Sequence, residues 1–400
     1  MRISTLTMFE RNASSMNRQQ SEFLKVGQQF ASGKRVLNPS DDPQAASRAV
    51  GVSQAKAVTQ QYMDARITAR NALSQEENVL NSIGDAITSA KTLMVQAANG
   101  TLSDADRGSV ASELRSIYET IFGQANATDG NGRYLFGGYQ DNSPPFVKGA
   151  GGTVSYEGDL NTREQRVDAS RLMPVGDNGN TIFRSVHSSA GYVAEANAGN
   201  SGNVTFKGPL VLDAADPGYG NAFEVSFSVS GGVLGYSLDG GATTQPYKPG
   251  EAITFGGLSL TLEGTPAAGD SIKLAPAKDM NTDLFATLEK AIAALDSPSG
   301  GARQQAALAN TLNTVMRELD NSLDNVLTVR ASAGARLNEL DVVDTVAGNR
   351  MLNYEQTLSD LVDLDYVQAA SEYSLRMVGL QAAQKSFVDI QGMSLFNFLR

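Results

Sequence analysis

The 400-residue chain has no Cys, no Trp and a single His, His187. Without cysteine there can be no disulfide, thiolate zinc site, iron–sulfur cluster or cysteine nucleophile. One histidine excludes HExxH and every paired-histidine metal site, and a Ser-His-Asp triad would have to rest on His187 with no GxSxG anywhere. Long apolar runs are also missing. No window approaches the roughly 18 consecutive apolar residues of a spanning helix, and residues 1–11 show neither the apolar stretch nor the cleavage site of a secretory leader. We therefore expect no membrane insertion and, if the chain is exported, a route that reads no cleavable signal. Basic charge is in deficit, with 32 Lys and Arg against 43 Asp and Glu and a net charge of −11, which argues against nucleic acid as a partner. These absences predict a protein that is not an enzyme, with no catalytic, cofactor-binding or metal residues.

Glycine and proline are scarce at both ends and dense between them. Residues 130–280 hold 26 of the 39 Gly and 9 of the 12 Pro. Both residues weaken helices, so the flanks are free to be helical and the middle is not. In the first flank Leu6, Phe9, Ala13, Met16, Gln20, Phe23, Gly27 and Phe30 step by threes and fours along one helix face. Asp42 then Pro43 reads as an N-cap with proline at the first helical position, opening a helix toward Asn99-Gly100. Its seam runs from Val58 through Ala69, Ile83 and Leu93 to Ala97, interrupted only by Glu76. Ser103 with Asp106 resembles a capping box for a third helix carrying Val110, Leu114, Ile117 and Ile121.

The second flank keeps the same rhythm from Leu308 to Leu364 without proline, with Arg336 among its polar exceptions. At about 1.5 Å per residue, that helix would be on the order of 90 Å long. A last segment carries Tyr366, Ala369, Tyr373, Leu380, Phe387 and Ile390. Each seam needs cover, and the simplest closure lays the two chain ends side by side. Charge agrees: residues 1–40 carry six Lys and Arg against two Asp and Glu, and residues 354–400 carry three against six.

The middle reads as β structure. Tyr134-Leu135-Phe136 follows two turn dipeptides, while residues 222–229 and 258–262 alternate apolar and polar side chains as half-buried strands do. The predicted fold is mainly α with a β insertion: a long antiparallel helical rod formed by both chain ends, with a small β-rich domain inserted at the tip. Its expected parts are a terminal coiled-coil domain of residues 1–40 plus 360–400; a helical rod domain of residues 41–186 plus 277–359, with a β-hairpin region at about 130–186; and an antiparallel β sandwich or barrel over 187–276.

Local motifs offer little chemistry. Gly27 to Arg35 mimics a phosphate loop, but five residues separate its glycines and Arg35 replaces the hydroxyl that would hold magnesium. Asp104 and Asp106 lack the remaining ligands of a calcium loop. His187 sits in a Ser/Gly-rich stretch as a solvated side chain would, and Asp360, Asp363 and Asp365 read as rim charge. What stands out is apolar surface on narrow terminal helices, which usually marks an interface. Leu6, Phe9, Met16, Phe23, Phe30, Leu380, Phe387, Ile390, Leu395, Phe396 and Phe398 are the expected subunit-interface residues.

Several segments carry a family resemblance. Ser32-Gly33-Lys34-Arg35-Val36-Leu37-Asn38-Pro39-Ser40-Asp41-Asp42-Pro43 resembles the N-terminal signature of the flagellin superfamily, and Val329-Arg330-Ala331-Ser332-Ala333-Gly334-Ala335-Arg336-Leu337-Asn338 its C-terminal counterpart. Asp41-Asp42-Pro43-Gln44-Ala45, the segment Tyr134-Leu135-Phe136-Gly137-Gly138 through Pro144-Pro145-Phe146 and the ending Met393-Ser394-Leu395-Phe396-Asn397-Phe398-Leu399 are more similar to the branch that joins hook to filament than to filament flagellins. The resemblance covers about residues 1–183 and 279–400. It implies an extracellular structural protein of the bacterial flagellum, with no cofactor, exported unfolded through the flagellar type III apparatus. Its implied partners are its own copies in a ring, the first hook-associated protein, flagellin and a cytoplasmic export chaperone. Filament flagellin shares the architecture and is the nearest alternative. A surface-binding, adhesin-like module built on residues 187–276 is a more distant one.

Overall fold

The computed structural model describes residues 5–392 apart from Thr101, residues 150–151 and 239–240, and Ser299. Its helices are α1 (Thr5–Ser32), α2 (Pro43–Ala97), α3 (Asp104–Ala125), α4 (Gly179–Phe183), α5 (Leu284–Asp296), α6 (Ala302–Val362) and α7 (Tyr366–Gly392). The strands are β1 (Phe146–Lys148), β2 (Val154–Tyr156), β3 (Glu164–Asp168), β4 (Arg171–Pro174), β5 (Tyr192–Ala196), β6 (Thr205–Val211), β7 (Phe223–Ser230), β8 (Val233–Ser237), β9 (Gln245–Pro246), β10 (Ala252–Phe255), β11 (Leu258–Glu263) and β12 (Ser271–Pro276). The fold is mainly α, built on long helices from both ends of the chain, with a small β-rich insertion between them. Two compact units divide the chain: Met1–Asp64 with Val342–Arg400, and Ala65–Asp341. The division falls inside α2 and α6, not at the turns that end α1 and begin α7.

Local chemistry accounts for the helix starts. Asp42 Oδ1 accepts the Ala45 N–H at 3.0 Å, so α2 opens with a carboxylate cap ahead of Pro43. Ser103 Oγ accepts the Asp106 N–H while the Asp106 carboxylate accepts the Ser103 N–H, a reciprocal box at the head of α3. Asp283 caps α5 through Phe285 and Ala286, a 13-residue helix that buries Leu284, Leu288, Ala291 and Leu295 along one face. The last long helix begins at Ala302, ahead of the expected Leu308.

In the larger unit, α2, α3, α5 and α6 close around Leu80, Ile83, Ile87, Leu114, Leu288, Val315 and Leu319. An aromatic knot of Phe136, Phe146, Phe183 and Phe285 fills one end of this core, with ring centroids 5.2–6.0 Å apart. The hairpin β3–β4 presses Val167 and Met173 onto Ala69 and Leu73 of α2 and Ala333 and Leu340 of α6. Tyr134, Leu135 and Phe136, expected as a strand, form instead a buried turn beside a single bridge, Thr128 to Tyr134. Gly138 explains why: it holds φ +65 against Asp159 and Asn161, so the backbone folds back where a strand would continue. The seam of α2 also rotates near its start, where Thr59 is buried and Val58 is 40% exposed.

The insertion is a sandwich. A five-stranded antiparallel sheet ordered β5-β12-β7-β8-β9 faces a three-stranded sheet ordered β10-β11-β6. Both contribute to one core, with Leu258, Leu260 and Leu262 inward on β11 and Val225 and Phe227 inward on β7. Polar side chains of α6 fasten it. Asn310 accepts the Phe206 N–H and donates to Val204 O, Asn313 donates to Phe206 O, and Thr314 donates to Ala194 O, all between 2.7 and 3.1 Å.

Candidate assembly surface

In the smaller unit α1 and α7 pair antiparallel. Phe9 meets Phe387 at 5.2 Å, Phe23 meets Tyr373 at 4.8 Å and Phe30 meets Tyr366 at 5.5 Å between ring centroids. The residue numbers in each pair add to the same total, as an unslipped antiparallel register requires, and Met16 and Leu380 fall at the same level, both half-buried. Glu22 with Arg376 adds an ion pair along the seam. Of the expected interface residues, Phe9, Met16, Phe23, Phe30, Leu380 and Phe387 thus line this intrachain seam. The Leu6 and Ile390 side chains and Leu395, Phe396 and Phe398 lie outside the described residues.

The pairing leaves much apolar surface open. On α1, Leu24 is exposed; on α7, Val367, Leu375, Met377, Val378 and Val388 are, Val367 at 81%. Helix α7 is apolar on more than one side, and such a helix is normally buried all round. Following one stripe along the sequence finds the ring pairs and misses these residues. The signal that finds them is the spread of apolar positions around the whole of α7. More apolar side chains open on the adjoining segments: Val50 and Val58 on α2, and Val342, Val346 and Leu352 on α6.

A polar buckle holds the ends of α1 and α6 together. Gly33 adopts φ +68 with the Tyr366 hydroxyl against it, a conformation and a space that exclude a side chain. The Arg35 N–H donates to Val362 O at 2.7 Å, the Leu364 N–H donates to Gly33 O at 2.9 Å, and the Arg35 guanidinium reaches Leu361 O. Asp41 accepts the N–H groups of Leu37 and Asn38 and pairs with Lys25 at 2.8 Å. Hydrogen bonds from Lys25 and then Asn38 hold its carboxyl below the usual carboxylate range. The Ala45 N–H and the Arg35 guanidinium do the same for Asp42. Asp365, one of the three carboxylates expected to be rim charge, caps α7 through Val367 and Gln368. The second signature segment is equally structural: Arg330 donates to Asn81 and Arg336 grips Asp177.

No helix among the described residues is long and apolar enough to cross a membrane. Among the described residues no group of three or more His, Asp or Glu side chains could hold a metal ion, and His187 shares a hydrogen bond with Ser189. Long paired helices, an open apolar face and a β insertion fastened to one helix define a structural protein that works by packing.

Comparison with known proteins gives that class a family. The bacterial flagellin N-terminal helical region matches residues 3–141. Flagellar hook-associated protein 3 of Escherichia coli K12 is 37% identical over 99% of both chains, and that of Salmonella typhimurium LT2 is 36% identical over the whole of both. Among solved structures, Xanthomonas campestris FlgL is 30% identical, covering 77% of this chain and 99% of its own, with a TM-score of 0.68. Hook-associated protein-3 of Legionella pneumophila reaches a TM-score of 0.71 at 26% identity, over 78% of this chain and 98% of its own. Salmonella flagellins align over 54% of the chain at 28% identity. The chain belongs to the flagellar hook-associated protein 3 family, structural and extracellular components of the bacterial flagellum.

Proposed function

We propose that this chain forms the ring that joins the flagellar hook to the filament, and that the open face of α1 and α7 is where its copies and neighbours pack. The observation that carries this is the apolar surface of the smaller unit. Among the described residues its buried hydrophobic side chains are Val26, Val36, Ala45, Ala49, Ala347 and Ala369, mostly alanines, while Leu24, Val367, Leu375 and Val378 stay open. Burying a large apolar side chain yields about 1.5–3 kcal/mol, against about 1–2 kcal/mol of backbone entropy per ordered residue. Partners that cover the open face would supply the deficit. Phe9, Phe23, Phe30 and Phe387 then set, through their seam, the register in which the outer residues are presented, and Leu395, Phe396 and Phe398 are further interface residues on this reading.

The partners of the ring are the first hook-associated protein on the hook side and flagellin on the filament side. A cytoplasmic chaperone covers the C-terminal segment before export. The chain leaves the cell through the flagellar type III apparatus, unfolded, because folded helices of this length could not pass a narrow channel. Deleting the gene tests the reading directly. Hooks without filaments, with flagellin released into the medium, are the expected result. Absent filaments with no flagellin outside would make this chain the filament protein, the reading its partial likeness to flagellins favours second.

A further inference from the structure

Glu76 has no part in the assembly reading. It lies on α2, 2% exposed, with Oε1 accepting the Asp177 N–H at 3.0 Å and Oε2 without a hydrogen-bond partner. Asp177 follows β4 and is held by two guanidinium donors of Arg336 on α6, at 2.9 and 3.2 Å. A Cβ on Gly176 would sit 4.0 Å from both Glu76 Oε2 and the Arg163 guanidinium. Arg163 is committed to Asp141 at 2.9 Å, and Asp141 also pairs with Arg133 at 3.5 Å. Two carboxylates, on α2 and on the segment after β4, therefore face one fork from α6, and the fork is spent on Asp177. Burial raises the Glu76 carboxyl first and the Asp177 charge raises it further; the Asp177 N–H, Arg336 and Arg163 oppose them. The balance pushes Glu76 up to about 8.

We propose that this cluster is a proton-gated latch: the segment 175–179 stays seated on α2 and α6 while Glu76 is protonated, and loosens when Glu76 ionises. At its far end the segment is fastened independently of Glu76, with Asn178 Oδ1 accepting the Thr181 N–H at 2.9 Å and Gly179 packed against Phe146 and Tyr156. The Val175 N–H donates to Arg163 O, the Gly179 N–H to Phe136 O, and Asn178 Nδ2 to Leu160 O. A carboxyl raised in the fold favours the folded form fully below its unfolded value, 4.5, and that contribution is lost as pH rises through the folded value. The latch is thus tightest in acid, weakens steadily as pH rises past 4.5, and is fully open once Glu76 ionises in mild alkali.

The test uses the full chain, with carboxyl carbon NMR of Glu76 and amide exchange corrected for its intrinsic pH dependence. The titration midpoint should be mildly alkaline. Protection of the Asp177 amide should fall tenfold or more across it, as a shift of a pKa unit or more demands, while amides of α3 hold. Glu76→Gln should abolish the fall. A midpoint in the ordinary carboxylate range, protection that does not change through the titration, or the same fall in Glu76→Gln overturns the proposal. Should Glu76→Gln fail to fold, Asp177→Asn substitutes for it: removing the neighbouring charge must lower the Glu76 midpoint, and an unmoved midpoint overturns the proposal equally.

Discussion

The two units share the helices α2 and α6 but bury very different things with them. Between Ala65 and Asp341, α2 turns Leu73, Leu80, Ile83, Ile87 and Met94 fully inward, and α6 does the same with Val315, Leu319 and Val326. Beyond those limits the same helices bury Ala45, Ala49 and Ala347 and leave Val50, Val342, Val346 and Leu352 exposed. One unit closes on itself around large side chains; the other buries mostly alanines, only half-buries the aromatic seam between α1 and α7, and leaves many large side chains outside. Helix continuity therefore says little about where stability resides. An isolated chain should have a self-sufficient unit and a dependent one, and each of the following experiments bears on that division.

The largest loss should come from the aromatic knot. Phe285 is 1% exposed and touches Tyr118, Phe122, Phe146 and Phe183. Phe285→Ala should cost about 3–5 kcal/mol in urea unfolding of the larger unit, since the cavity cannot collapse between three helices. A loss below about 1 kcal/mol would mean that the core is not where the cohesion lies.

Next comes the fastening of the sandwich. Asn310→Ala removes both the acceptor of the Phe206 N–H and the donor to Val204 O at a site 4% exposed. Leaving those backbone groups unsatisfied should cost about 1–3 kcal/mol. The change should show as faster amide exchange at Phe206, with α2 and α3 unaffected.

Much of this was legible in residue order, for reasons that differ by element. Long helices announce themselves through 3.6-residue periodicity, and their starts through caps such as Asp42 and the Ser103–Asp106 box, because both depend only on neighbours within a turn or two. The strands β7 and β11 were readable because one face is buried and alternation follows. Tyr134 to Phe136 was not, since the same apolar run serves a strand or a buried turn, and the contacts that decide, Asp159 and Asn161 against Gly138, arrive from far downstream in the sequence. Glu76 and Arg336 stood out as polar breaks in two seams, but their shared partner Asp177 lies in a loop that no periodicity marks. The same limit applies to the surface. The seam pairs Phe9–Phe387 and Phe23–Tyr373 follow from one stripe, whereas the open residues of α7 belong to stripes that only a partner would reveal.

A smaller effect should follow acidification of the buckle. Asp41 and Asp42 are held below their ordinary value of 3.8, so their contribution is present above that value and disappears as pH falls through the depressed one. Exchange protection of residues 33–45 should drop on acidification, and Asp42→Asn should weaken that drop. Unchanged protection down to the acid unfolding of the larger unit would remove the buckle from the account.

The smallest effect on the isolated chain belongs to Leu375→Ser, and it is the most informative about the dependent unit. Leu375 is 71% exposed on α7 and belongs to no ring pair of the α1–α7 seam. A substitution at such a site should move monomer stability by no more than about 0.5 kcal/mol. In cells, however, it should give bare hooks and flagellin in the medium, as the deletion does, because the lost side chain is one that partners cover. Phe23→Ser is the contrast, since it breaks the seam itself: it should loosen α1 and α7 in the monomer, seen as faster exchange along both helices, before any question of assembly arises. If Leu375→Ser cells build normal filaments, the open face of α7 is not an interface. If Leu375→Ser instead destabilises the monomer as much as Phe23→Ser does, the smaller unit closes on itself after all, and the division between the two units falls with it.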